Sequence, residues 1–300
     1  MYKYAALTHQ GKIRENNEDN FYINDKWKKK TEEAAYAVDG EMTGNRLLSA
    51  VFDGMGGEEL GEVASLSATE SMHELFGADD ILEEKKPDED NSSRIKRIFQ
   101  KKKKTTYEPA ADEPVISRHA KSFQLLQTDP MSYVTYANKK ICEEIEKRQT
   151  SMGTTFTCIE FYDGCATSIN IGDSPAYLYR DGSLTQLSVE HSPIGSLIRD
   201  GLITREEAKT HPLRNKISQY FGISPDVMEL VPAVSDRIPL KIGDQYLICS
   251  DGLSNMVSPE EITNILTQAI EVKEKVRLLV QAAIDRGGKD NITVIIVEIG

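Results

Sequence analysis

Apolar stretches in this chain are short, and they break at turn-forming residues before helical periodicity can build up. Tyr4–Thr8, Asn20–Ile23, Ala34–Val38 and Leu47–Phe52 read as strands by length and apolar content. Thr154–Phe161, Cys165–Asn170, Ala176–Arg180 and Ser183–Gln186 form a meander, divided by Tyr-Asp-Gly, Gly-Asp-Ser and Arg-Asp-Gly-Ser turns. Val227–Leu230, Gln245–Cys249 and Asn291–Ile299 complete the expected strands. Helical spacing comes in pairs, over Glu58–Phe76 and Ser132–Arg148, then over Pro259–Gln268 and Val272–Asp285. Strand and helix do not alternate one for one, and no repeat is present, so a doubly wound parallel sheet is disfavoured. Many antiparallel strands with helix pairs set between them predict an α+β layered sandwich.

Charge narrows the function classes. Thirty-six basic residues against 48 acidic ones give a net charge of −12 over 300 residues. That sign argues against a nucleic-acid binder, which needs a basic surface, and suits a protein that holds cations. No stretch approaches the roughly 18 to 20 apolar residues of a membrane span. The opening MYKYAALTHQGKIREN carries no apolar leader core, so a cytoplasmic address is the default expectation. Cys142, Cys158, Cys165 and Cys249 make no metal-binding spacing and are expected to be buried free thiols. Residues 79–121 stand apart. They are charge-blocked, with an acidic half and a basic half around Arg94–Lys104, and read as an insertion with at most a short helix near 94–103.

The informative feature is where acidic residues fall. Glu18-Asp19, Asp53-Gly54, Asp251-Gly252 and Asp290-Asn291 lie at expected strand ends. Three of the four adjoin strongly apolar runs: LLSAVF, YLICS and ITVIIVEI. A carboxylate at the end of a buried strand is costly unless a cation or donor meets it. One Asp-Gly is ordinary turn chemistry. Several in this arrangement suggest oxygen ligation of Mg²⁺ or Mn²⁺, with Gly54 letting the backbone turn its carbonyl toward an ion beside Asp53. Arg14, four residues before Glu18, could grip a phosphate in two-pronged fashion.

In order and spacing, RENNED, VFDGMGG, MGTT, GDSPAYLYR, CSDGL and GGKDNITVIIV resemble the protein phosphatase 2C family of metal-dependent serine/threonine phosphatases, bacterial type. The resemblance runs from about Met1 to Glu298, broken only by the insertion. It implies a single catalytic domain over 1–300, a four-layer αββα sandwich of two antiparallel sheets flanked by helices. It implies two divalent ions, Mn²⁺ or Mg²⁺, with Asp53 bridging them and Gly54 offering its carbonyl to one. Asp251 and Asp290 would complete the other shell, and Glu18 and Asp19 would act near or through metal-bound water. Asp173 matches a position that, with Asp251, serves a third and weaker ion. Arg14 would hold the substrate phosphate, making Arg14 and Asp53 the catalytic pair. Segment 188–222 resembles a flap beside the site that varies among members.

The expected reaction is hydrolysis of phosphoserine or phosphothreonine by a metal-bound hydroxide, without a phosphoenzyme. Expected partners are phosphorylated proteins and a cognate kinase with its substrates, met by a monomer. Two departures stand out. Met55 occupies a position where the animal branch has a histidine proposed as general acid, and a thioether donates no proton. Pro175 replaces an arginine in the GDS motif. His191 and His211 read as structural, and Thr154-Thr155 as packing near the site. A non-catalytic adaptor would need a lost acidic ligand, and none is missing. A small-phosphoester hydrolase on the same fold is the other alternative.

Overall fold

The computed structural model describes residues 1–56, 60–77, 125–208, 210–214 and 216–300. The charged insertion expected at 79–121, its short helix near 94–103 and the first residues of the Glu58–Phe76 helix lie outside the described residues. In chain order come β1 (Tyr2–His9), β2 (Asn20–Ile23), β3 (Lys26–Trp27), β4 (Ala35–Met42), β5 (Arg46–Phe52), β6 (Gly54–Gly56) and helix α1 (Gly61–Phe76). Beyond residue 124 follow α2 (Pro130–Arg148), β7 (Met152–Thr154), β8 (Phe156–Tyr162), β9 (Cys165–Ile171), β10 (Ala176–Arg180), β11 (Ser183–Gln186), α3 (Pro193–Arg199) and α4 (Arg205–Ala208). The chain continues through β12 (Ala233–Val234), β13 (Ile238–Pro239), β14 (Gln245–Cys249), α5 (Asp251–Ser254), α6 (Pro259–Leu266), α7 (Val272–Asp285) and β15 (Ile292–Ile299).

Two antiparallel sheets carry the body formed by residues 1–77 and 125–300. One runs β11-β10-β14-β15-β1-β4; the other runs β12-β9-β8-β5-β2-β3, with β13 also on β9. The period of two along each strand decides what each side chain meets. On β15, Ile295, Val297 and Ile299 enter a core shared with Leu47, Val51 and Phe161 of the other sheet. The alternate residues Ile292, Val294 and Ile296 pack against Leu279, Val280 and Ala283 of α7. On β5, Leu48, Ala50 and Phe52 turn the other way, toward Ala64, Ala68 and Met72 of α1 and Val134 and Ala137 of α2. Each sheet is thus covered on both faces, which is why its central strands read as unbroken apolar runs. The layers are helices, sheet, sheet, helices, as the resemblance implied.

Helix ends follow local chemistry. Asp129 accepts a hydrogen bond from the Ser132 amide (3.1 Å) with Pro130 in the first turn, so α2 starts two residues before the sequence expectation. Ser258 and Glu261 close a capping box on α6.

Two expectations need correction. Val227–Leu230 is not a strand: the Val227 and Met228 amides bond back to Ser224 O in a turn (2.9 and 3.1 Å), and Val227 is 78% exposed. The edge of β9 is taken by β12 and β13 instead. All four cysteines are free, but only Cys158 and Cys249 are buried. Cys142 and Cys165 are half-buried, where the sequence pattern made them look fully internal.

Candidate active site

The pairing register brings the acidic strand ends together. Asn20 of β2 faces Phe52 of β5, so Asp19 and Asp53 leave neighbouring strands at the same end. Cys249 of β14 faces Val294 of β15, which sets Asp251 beside Asp290 at the facing end of the other sheet. Phe156 of β8 faces Ile171 of β9, and Asp173 follows two residues later at that end. Arg14, Glu18 and Gly54 occupy the adjoining loops.

Backbone bonds over long sequence separations hold this end rigid. The Asp53 amide donates to Thr155 Oγ1 (3.0 Å), the Thr155 amide donates to Asp53 O (2.9 Å), and Thr154 Oγ1 donates to the same carbonyl (3.0 Å). Asn291 performs a similar task for the 10–18 loop. Its Nδ2 donates to Gln10 O and Asn16 O, both at 2.8 Å, and its Oδ1 accepts from the Glu18 amide at 2.9 Å. Thr293 Oγ1 donates to Asp19 Oδ2 (2.7 Å), and the Ser250 hydroxyl accepts from the Thr293 amide (2.9 Å). Arg14 Nη2 meets both Asp290 oxygens at 2.8 and 2.9 Å, and Nη1 lies 3.7 Å from Glu18 Oε2. Gly54 is required for space. Its φ is not in the left-handed region, but a Cβ there would stand 2.3 Å from Glu18 O and from Gly61 O. The expected reason, a special turn of the backbone, is corrected accordingly.

Electrostatics follow from crowding. Burial pushes the Asp53 carboxyl well above its ordinary range, and the charges of Asp19, Asp251, Asp173 and Asp290 add to it. Burial raises Asp19 to about 7 against the lowering hydrogen bonds from Thr293 and Ser250. Asp173 is raised to about 7 by burial and then by Asp251, and Asp251 to about 6 by burial and then by Asp290. Burial also raises Glu18, partly offset by Arg14. The site is a set of carboxylates short of positive charge.

Oxygen donors of this kind suit hard divalent cations. Among the described residues no three acidic, histidine or cysteine side chains already close on one point. Carbonyl oxygen and water would therefore complete any ion's shell, as the buried Gly54 beside Asp53 allows. The residues fit the group.

Sequence reading missed the roles of Asn291, Thr293 and Lys28, and gave Thr155 packing near the site without its bonds to Asp53. Lys28 is buried, and its Nζ donates to Asn17 O at 2.5 Å beneath the acidic loop; burial lowers it to about 8. The signal for Thr293 was its place inside an otherwise apolar strand. Met55 lies in β6 opposite Gly153. Pro175 is buried, and its carbonyl accepts from the Cys249 amide (3.1 Å), so this residue joins two strands of one sheet. The His211 ring accepts a local turn bond from the Leu213 amide (3.2 Å). An apolar groove of about 570 Å³ between α2 and residues 225–230 contains none of the expected site residues.

Residues 35–286 match the family described as Protein phosphatase 2C. The chain belongs to the protein phosphatase 2C family. That match leaves Arg14, Glu18, Asp19 and Asp290 outside its bounds. The serine/threonine protein phosphatase PstP of Mycobacterium tuberculosis is 32% identical over 99% of this chain and 45% of its own length. The chain thus spans about half of that relative. The serine/threonine phosphatase stp of Listeria monocytogenes is 29% identical over 97% of this chain and 93% of its own length. Among solved structures, M. tuberculosis PstP/Ppp superposes with a TM-score of 0.70 at 31% identity, over 99% of this chain and 98% of that one. The PstP catalytic domain in complex with two manganese ions gives 0.67 at 29% identity, covering both chains fully. No helix among the described residues is long and apolar enough to cross a membrane.

Proposed function

We propose that this chain is a metal-dependent phosphoprotein phosphatase that hydrolyses phosphoserine and phosphothreonine. The observation that carries the reading is the convergence of Asp19, Asp53, Asp173, Asp251 and Asp290, from both sheets, on one positively starved end. The manganese complex of the PstP catalytic domain supports two divalent ions as the cofactor. Asp53, the Gly54 carbonyl, Asp251 and Asp290 would hold two such ions, Glu18 and Asp19 would act near or through their bound water, and Asp173 with Asp251 would hold a weaker third. When bound, such ions activate water and neutralise charge on the phosphoryl group.

The chain's own residues supply the rest. Arg14 presents a planar guanidinium whose Nη2 meets Asp290 while Nη1 lies toward Glu18, a donor edge that a phosphate dianion of the right geometry can share. Thr154 and Thr155 fix the Asp53 backbone, and Asn291 fixes the loop that carries Arg14 and Glu18. Cys249, two residues from Asp251, is no nucleophile, because burial pushes its thiol far up. Segment 188–222 borders the site as a flap. Its partners are phosphorylated proteins, including a kinase and that kinase's targets. The free cysteines fit a reducing, cytoplasmic setting, and the chain is read as acting as a monomer.

The test is release of phosphate from a phosphothreonine peptide with and without Mn²⁺. Metal-dependent turnover of the peptide is expected. Turnover of p-nitrophenyl phosphate alone would point to a small-ester hydrolase, and turnover of neither would point to a non-catalytic relative.

A further inference from the structure

Segment 190–221 is attached to the body through its two stems. On the outgoing side, Asn170 of β9 clasps Val189: its Nδ2 donates to Val189 O at 2.7 Å and its Oδ1 accepts from the Val189 amide at 3.0 Å. Two residues on, the His191 amide donates to Gly172 O (2.9 Å), and its Nδ1 accepts from the Gly172 amide (3.3 Å). On the returning side, Asn138 of α2 makes the matching clasp. Its Oδ1 accepts from the Gly222 amide at 2.7 Å and its Nδ2 donates to Ile223 O at 2.9 Å. Phe221 bridges Thr154 in both directions (2.9 and 3.0 Å), and the Ser218 amide donates to His191 O at 2.8 Å, closing the base.

Between the stems, the backbone hydrogen bonds of the described residues in 196–216 run within the segment itself. Both asparagines are almost fully buried, at 5% and 1% exposure. Each offers one donor and one acceptor, which is what a chain needs to be held at a place where no strand pairs with it. The outgoing clasp leads to Gly172, next to Asp173. The returning clasp leads through Phe221 to Thr154, which bonds the Asp53 carbonyl. Gly222 is held at φ +114°, where a Cβ would stand 2.4 Å from Met152 O, so this stem has little freedom to find another path.

We propose that Asn138 and Asn170 are positioning residues, two pins that hold segment 190–221 against the site and so set how protein substrates are bound. The proposal rests on the phosphatase reading. A small ester needs the carboxylates and Arg14, whereas a protein must also fit beside the segment, so the pins bear on the second and not on the first.

The experiment uses Asn138→Leu and Asn170→Leu, which keep volume and remove both clasp bonds, with Asn138→Asp retaining the acceptor only. For a phosphothreonine protein, KM should rise about tenfold in the leucine variants and less in Asn138→Asp, the scale of net hydrogen bonds lost. For p-nitrophenyl phosphate, kcat and KM should stay within about twofold of wild type. Trypsin cleavage after Arg199 and Arg214 should accelerate several-fold, with the Mn²⁺ affinity unchanged. Equal loss of kcat on both substrates at constant KM, or unchanged cleavage, would overturn the proposal. If the leucine variants fail to fold, hydrogen exchange on the wild-type protein decides. The Val189 and Gly222 amides should exchange far more slowly than those of 197–203, and equal rates would overturn it. A wild-type protein without metal-dependent turnover of either substrate would remove the phosphatase reading and the substrate half of the proposal with it. Proteolysis and exchange would still judge the clasps.

Discussion

Asp53 is where the electrostatics of the molecule concentrate. Asp19, Asp173 and Asp251 are all raised in the folded, metal-free protein, to about 7, 7 and 6. Unfolded aspartates titrate near 3.9, so between about pH 4 and 7 the native state binds more protons than the unfolded one. The stabilisation is complete below the unfolded value and is lost as pH rises through the folded ones. Metal-free protein should therefore melt at progressively lower temperature from about pH 4 to pH 7, and saturating Mn²⁺ should flatten that slope. Asp53→Asn removes one member of the repelling set. It should raise the metal-free melting temperature while lowering phosphopeptide turnover more than about 100-fold; retained turnover would sink the bridging role. Arg14 is 46% exposed and already oriented by Asp290. Arg14→Ala should raise KM for phosphopeptide with a smaller loss in kcat, as expected of a group that grips ground and transition states alike. A strongly reduced kcat at constant KM would assign it to the transition state instead.

At the scale of elements, one side chain holds a loop to a strand. Asn291 sits just before β15 and spends three bonds on Gln10, Asn16 and Glu18. Asn291→Ala leaves two carbonyls and an amide without their partner. It should cost about 1 to 3 kcal/mol of stability, read from urea unfolding, and weaken Mn²⁺ binding about tenfold by calorimetric titration. An unchanged affinity would show that the loop keeps its place without the clasp. The glycines at the strand ends act at this scale too: Gly252 leaves no room for a Cβ against Asn291 O, just as Gly54 leaves none against Glu18 O.

At the scale of the molecule, two features divide the labour. The core between the sheets is centred on Phe161, which meets Tyr246 edge-on at 5.0 Å and Tyr2 at 5.5 Å. Phe161→Ala should cost about 3 to 5 kcal/mol in unfolding experiments. The site lies at one end of that core. Helix α1 begins at Gly61, whose amide bonds Glu18, and runs 16 residues to Phe76, about 24 Å away at helical rise. The chain returns at Leu126 and Gln127, whose amides donate to the buried carboxylate of Glu160. Glu160 pairs with Arg46 at the end of β5 opposite Asp53. Both attachment points are thus remote from the carboxylates. Replacing residues 84–115 by a short Gly/Ser linker should leave phosphopeptide turnover within about twofold. Loss of metal-dependent turnover in a folded variant would place that segment in the site after all.

Strand length, helix pairing and the acidic strand ends were legible in the sequence, because each depends on neighbours a few residues away. LLSAVF stops at Asp53, and ITVIIVEI starts just after Asp290, whatever the rest of the chain does. The same local logic misled at Val227–Leu230, where apolar residues of strand length follow a Ser-Pro-Asp turn that uses their backbone bonds. What the sequence could not contain is which ends meet. Asp53 is held by Thr155, 102 residues later, and Glu18 by Asn291, 273 residues later. Those bonds exist because the order and register of two sheets bring the ends together, and the same convergence creates the shared charge deficit at the site. A single aspartate at a strand end is determined by its own segment; its raised pKa and its bonded backbone belong to the tertiary structure, since both depend on residues that only packing makes neighbours.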